Sequence, residues 1–160
     1  MTDDEMKRSL LQKRTVEALK IFEEDIMPTD NEIAEEFFFE YMIKNMQLGS
    51  IYFDSVGRMG LKKSLGIEEH YSIIMENGDA IGIVEVKYKA HENDLDKLDR
   101  KLKNFKKLFP IYQNYKQYGA IASFHINDDA KREALRRGYF VLQRSGHLVH
   151  TESGEYLTVL

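Results

Sequence analysis

The chain has 160 residues, the size of one ordinary domain with a substantial core, and no cysteine, which excludes disulfides, thiol catalysis and cysteine-ligated zinc. Its formal net charge is −4, so affinity for nucleic acid has to come from a local basic surface and not from bulk charge. The acidic start, Met1 to Glu5, lacks an apolar signal core and no apolar run reaches the length of a membrane span, so the expectation is a cytoplasmic protein with no membrane partner.

Asp4 to Ile26 reads as a first helix, with Leu10, Leu11, Val16, Leu19 and Phe22 as its apolar stripe. Thr29 followed by Glu32 is a capping-box signal for a second helix through Ile33, Phe37, Phe38, Tyr41 and Met42, closed by Gly49. Ser50 to Asp54 is a short strand, and Val56 to Ile67 is an irregular, glycine-containing connection. Tyr71 to Glu76 and Ala80 to Lys89 are strands, and Asn77-Gly78 between them suits a type I′ hairpin turn. Asn93 or Asp94 caps a helix through Leu95, Leu98, Leu102, Phe105 and Leu108 that stops at Pro110. Tyr118 to Ile126 reads as a buried strand, Asp128 to Arg137 as a helix closed by Gly138, and Tyr139 to Arg144 and His147 to His150 as strands. The order ααβββαβαββ predicts an α/β fold, a mixed sheet with helices on its faces.

Side chains alternate across a strand, so Glu85 and Lys87 share one face while Val84, Val86 and Tyr88 share the other. A two-residue loop at Asn77-Gly78 pairs Glu76 with Asp79, Ile74 with Ile81, Ser72 with Ile83, His70 with Glu85 and Glu68 with Lys87. That register gathers Glu68, His70, Ser72, Glu85 and Lys87 on one face. Phosphodiester hydrolysis needs a divalent ion held by oxygen ligands, and a lysine beside it to orient water and offset developing charge. A carboxylate-x-lysine on a strand has the spacing for this. The tripeptide alone is more often a pair of solvent-facing charges.

In its context the tripeptide resembles the third-strand motif of the PD-(D/E)XK nuclease superfamily, and the chain is similar to a group of small bacterial proteins of that type. The resemblance runs from Asn31 to His150 and rests on Glu35-Glu36-Phe37-Phe38, Asn77-Gly78-Asp79, Ile83-Val84-Glu85-Val86-Lys87 and Asn104-Phe105. It continues through Leu108-Phe109-Pro110, Tyr118-Gly119-Ala120-Ile121-Ala122 and Gly138 to Gly146. It implies a restriction-endonuclease-like core of helix, three antiparallel strands, helix and strand over residues 29–160. It also implies a Mg²⁺-dependent DNA endonuclease, with Glu85 as catalytic metal ligand, Lys87 as catalytic lysine and Glu36 as the helix carboxylate. The second-strand aspartate of the pattern falls at Ser72, and the carboxylate favoured two residues earlier falls at His70. Two acidic positions are thus a serine and a histidine, which points to an impaired or altered site.

Each residue also has a plainer role. His70 is either a metal ligand favouring a softer ion or a histidine hydrogen-bonded to Glu85. Glu68 takes over as metal ligand only if it shares the Glu85 face. Glu36 is either a ligand or a solvated helix residue. Lys97 and Lys101 stand among the basic residues of the helix after the hairpin as candidate nucleic-acid contacts, balanced by Asp94, Asp96 and Asp99. Phe37-Phe38-Phe39 reads as core and not as a stacking platform. Residues 1–28, outside the resemblance, form a candidate homodimerisation helix. Three functions follow: a metal-dependent DNA nuclease, a pseudonuclease retained as a nucleic-acid-binding or protein-interaction module, and a structural homodimer.

Overall fold

The computed structural model describes residues 2–3 and 27–160. The chain divides into two compact units, Met1–Asp30 and Asn31–Leu160. The expected Asp4-to-Ile26 helix, and the homodimer contact assigned to it, lie outside the described residues.

Helix α1 (Asp30–Asn45) buries Ala34, Phe38 and Met42, spaced four apart on one side. It ends four residues before Gly49, at Asn45, where Met46 turns to φ +34. Gly49 instead makes the turn between two short paired strands, β1 (Gln47–Leu48) and β2 (Ile51–Tyr52). Its φ is +56, and a Cβ there would stand 2.8 Å from the Phe140 ring, so glycine is required twice over.

The stretch expected to be irregular is three strands: β3 (Ser55–Gly57), β4 (Gly60–Ser64) and β5 (Ile67–Tyr71). Strands β4 and β5 form a hairpin that is a sheet of its own. Its two-residue turn, Leu65-Gly66, has positive φ at both positions, 54° and 78°. A leucine there hides the turn signal, which normally comes from asparagine or glycine.

Strands β6 (Ile73–Glu76) and β7 (Ala80–Ala90) are antiparallel, but not in the expected register. Glu76 faces Ile81, Ile74 faces Ile83 and Ile73 faces Val84. Asn77-Gly78 is therefore not a two-residue loop. The Asn77 Oδ1 accepts from the backbone N–H of Asp79 and of Ala80 (3.0 and 2.7 Å), which widens the turn and slips each pair by two residues. A slip of two keeps every side chain on its face.

Helix α2 (Glu92–Leu108) follows, with Asp94 reaching back to accept from the His91 N–H at 2.8 Å. After a 3₁₀ turn at Pro110–Tyr112 come β8 (Lys116–Ile126), α3 (Asp128–Arg136), β9 (Phe140–Ser145) and β10 (Leu148–Glu152). The main sheet has six strands in the order β10-β9-β8-β7-β6-β3. The β7–β8 and β8–β9 pairs are parallel, and the others antiparallel.

Helix α1 covers one face, packing Ala34, Phe38 and Met42 on Val84, Val86, Ala120, Ala122 and Leu142. Helices α2 and α3 cover the other, packing Leu95, Leu98, Leu102, Phe105 and Ala134 on Ile81, Ile83, Ile121 and Val141. The fold is the expected mixed sheet flanked by helices. The succession α1, β3–β6–β7, α2, β8 is the helix, three antiparallel strands, helix, strand order that the nuclease resemblance implies.

Candidate functional site

Along β7, Val84 and Val86 face α1, while Ile83 and Glu85 face α2. Glu85 is only 3% exposed, and Lys101 of α2, only 7% exposed, donates from Nζ to its Oε2 at 2.6 Å. Lys101 lies on the apolar stripe of α2, three residues after Leu98 and four before Phe105, which is why it points inward. The neighbouring Arg100 meets a second buried carboxylate, Glu69 of β5, donating from Nε at 2.7 Å. Between these pairs, Tyr71 packs edge-on against Phe105 and donates its hydroxyl to the Lys101 carbonyl at 2.8 Å. Two consecutive cations of one helix thus neutralise two carboxylates drawn from different strands. A buried charge survives in a protein only when paired in this way.

Burial pushes the Tyr71 phenol above its ordinary value of 10.0, and the Glu69 charge adds to the shift. Burial raises Tyr139 too, helped by the hydrogen bond from its hydroxyl to Asp99. The folded state therefore holds these protons at a pH where the unfolded chain releases them. Their contribution is fully present below about pH 10 and is lost as pH rises toward the folded values. Thermal unfolding followed from roughly pH 8 to 11 is expected to show a falling midpoint, with a shallower fall in the Tyr71→Phe/Tyr139→Phe double variant. An identical slope in the two proteins would remove these phenols as the cause.

The register decides where the remaining expected site residues stand. Ser72 comes one step beyond the Ile73–Val84 pair, beside Glu85 instead of opposite Ile83, and its Oγ accepts from the Val86 N–H at 3.4 Å. Glu68 and His70 do not pair with Lys87 and Glu85. They belong to the β4–β5 hairpin, opposite Lys63 and Leu61, and both are exposed. The cause lies at Ser72, where the chain passes from one sheet to the other: Tyr71 packs on the α2 side and Ile73, two residues on, packs on the α1 side, so the alternation breaks between them. Upstream of that break Glu69 and Tyr71 point inward, so the side chains of β5 that the expected face included are those that point out.

Glu36 is exposed on α1, on the opposite side of the sheet from Glu85, and is bound to Arg58, whose hydrogen bond and charge lower its carboxyl below the usual range. Lys87 is half-buried at the end of the Glu85 face, with no hydrogen-bond or ion-pair partner among the described residues. Lys97 is exposed and stands 3.8 Å from Asp94. Lys101 requires a correction: it was expected among the surface contacts to nucleic acid, and it is instead buried against Glu85.

Of the expected ligands Glu85, Glu36, His70 and Glu68, only Glu85 lies on this face, so the expected set does not assemble. Among the described residues no group of three or more histidine, aspartate or glutamate side chains is placed to hold a metal ion. Beside Glu85 stand a serine hydroxyl, which brings no charge, and an ammonium that has already neutralised the carboxylate. Sequence reasoning missed Glu69 and the inward role of Lys101. The position of Lys101 on the apolar stripe was the available signal.

No protein-family model matches the chain, and no curated protein matches it. Among solved structures, the chain is similar to a chain of an EndoMS-dsDNA2 complex, with 14% sequence identity and a TM-score of 0.49 over 76% of this chain and 47% of that one. The chain thus spans about half the length of that protein.

Proposed function

We propose that this domain is a nuclease-like protein that binds nucleic acid without cutting it. The nuclease-like part rests on the element order around Glu85-Val86-Lys87. The loss of cutting rests on one observation, the buried Lys101–Glu85 pair. A divalent ion entering there has to displace an ammonium held at 2.6 Å, and breaking a buried pair costs about 3–5 kcal/mol. Among the described residues no group of three or more histidine, aspartate or glutamate side chains is placed to repay that cost, and the other buried carboxylate of this face, Glu69, is itself held by Arg100. An intact nuclease with Glu85 and Lys87 in metal chemistry is the reading this displaces.

The test is a calorimetric titration of Mg²⁺ and Mn²⁺ into the wild type and into Glu85→Gln, followed by incubation of both with single-stranded and duplex DNA. Equal, negligible metal heats and uncut DNA are expected. Metal heat that disappears in Glu85→Gln, or metal-dependent cleavage by the wild type, would restore the nuclease.

A further inference from the structure

We infer that the α1-side face of the sheet, at the carboxyl ends of β7, β8 and β9, is a contact surface for single-stranded nucleic acid centred on Arg144. The inference rests on the nucleic-acid-binding reading above and gives it a location away from Glu85.

The last core layer on this face is Val86, Ala122 and Leu142, side by side on the three strands. Two residues further along, the same face carries Tyr88, Phe124 and Arg144, all half-buried. The Arg144 guanidinium carbon sits 4.4 Å above the Phe124 ring centre and 4.5 Å from that of Phe37 on α1. Its Nε donates to the Gly146 carbonyl at 2.8 Å. Two rings and one hydrogen bond therefore hold the side chain in place before any ligand arrives.

What sets Arg144 apart is its charge. Every other described arginine meets a carboxylate: Arg58 with Glu36, Arg100 with Glu69, Arg132 with Asp129, Arg136 with Glu133, and Arg137 with Glu133, Asp96 and Asp99. Arg144 alone among them has none, and its terminal nitrogens have no hydrogen-bond partner among the described residues. A fixed guanidinium with free N–H groups is suited to a phosphate, which it grips with two parallel bonds.

The surroundings select the kind of phosphate. Tyr88 lies 5.4 Å from Phe124 and 5.1 Å from the exposed His125, so the aromatic row that starts with the two rings against the guanidinium continues beyond it. Single strands bind by setting phosphates on cations while unstacked bases lie on rings and guanidinium planes. A duplex keeps its base faces covered and has no use for the rings. The carboxyl ends of parallel strands are also where open α/β sheets bind ligands.

The experiment is fluorescence anisotropy of a labelled oligothymidylate, in single-stranded form and annealed to its complement, at low salt. The proteins are wild type, Arg144→Gln, Tyr88→Leu and, as a distant charge control, Lys107→Gln, each first checked for an unchanged unfolding midpoint. Tighter binding of the single strand is expected, weakened about tenfold or more by Arg144→Gln and by Tyr88→Leu and less than about twofold by Lys107→Gln. Arg144→Gln should also lower the salt dependence by about one phosphate contact. No binding to the single strand, equal losses in Arg144→Gln and Lys107→Gln, or displacement by polyglutamate as readily as by oligothymidylate would overturn the inference. Duplex binding that ignores both site variants would overturn it while leaving the proposed function standing. Arg144-dependent binding accompanied by metal-dependent cleavage would do the reverse.

Discussion

Replacing Lys101 with methionine is expected to lower the stability of the domain by about 3–5 kcal/mol at neutral pH. Methionine fills a similar volume, so little packing is lost. The cost arises because the Glu85 carboxylate, 3% exposed, is left buried without the one side chain among the described residues that hydrogen-bonds to it. Removing both charges, in Glu85→Gln/Lys101→Met, leaves neither group stranded and should recover most of the loss, because replacing a whole buried pair is often neutral. Urea unfolding of the wild type, the two single variants and the double variant gives the coupling directly. A Lys101→Met cost below about 1 kcal/mol would mean that Glu85 does not depend on this ammonium, and the argument against metal binding would lose its basis.

The same pair shows where sequence reading succeeded and where it stopped. The strands around Glu85 and the helix carrying Lys101 were legible because each has strong local periodicity: an unbroken apolar run in β7, and apolar residues at helical spacing from Leu95 to Leu108 in α2. The opposition of Glu85 and Lys101 was not legible, since they are 16 residues apart and meet only when α2 folds back over the sheet. The face expected to gather Glu68 and His70 failed for a local reason. One residue, Ser72, sits where the chain leaves one sheet for another, and the alternation inverts across it. The β4–β5 hairpin escaped notice because Leu61-Lys62-Lys63-Ser64 has no apolar alternation and its turn begins with a leucine. Arg144 was invisible for a different reason: what marks it is that no carboxylate among the described residues pairs with it, and no spacing in a sequence records that.

Gly138→Ala is expected to destabilise the domain by on the order of 3 kcal/mol, through strain and collision together. Gly138 closes α3, as its place after that helix predicts, with its N–H bound to the Leu135 carbonyl and φ at +84. The left-handed conformation alone costs a residue with a Cβ about 1–2 kcal/mol. Here the added Cβ would also lie 2.4 Å from the backbone nitrogen and the hydroxyl of Thr158. Thr158 is where the C-terminal stretch attaches: its N–H donates to the Gly138 carbonyl and its hydroxyl to the Arg137 carbonyl. Two residues later Leu160 exchanges both backbone hydrogen bonds with Gln117 of β8. A methyl at Gly138 therefore pushes out a segment that ties α3 to the start of the central parallel strand. Gly78 separates the two contributions, since its φ of +83 is nearly the same and no atom stands within 4 Å of its missing Cβ. Gly78→Ala should cost only the conformational part, about 1–2 kcal/mol, and leave hydrogen exchange at Thr158 and Leu160 unchanged. Gly138→Ala should cost more and speed exchange at both amides. Equal costs in the two variants, with Thr158 and Leu160 still protected, would show that the C-terminal stretch yields without loss and that only backbone strain fixes glycine at Gly138.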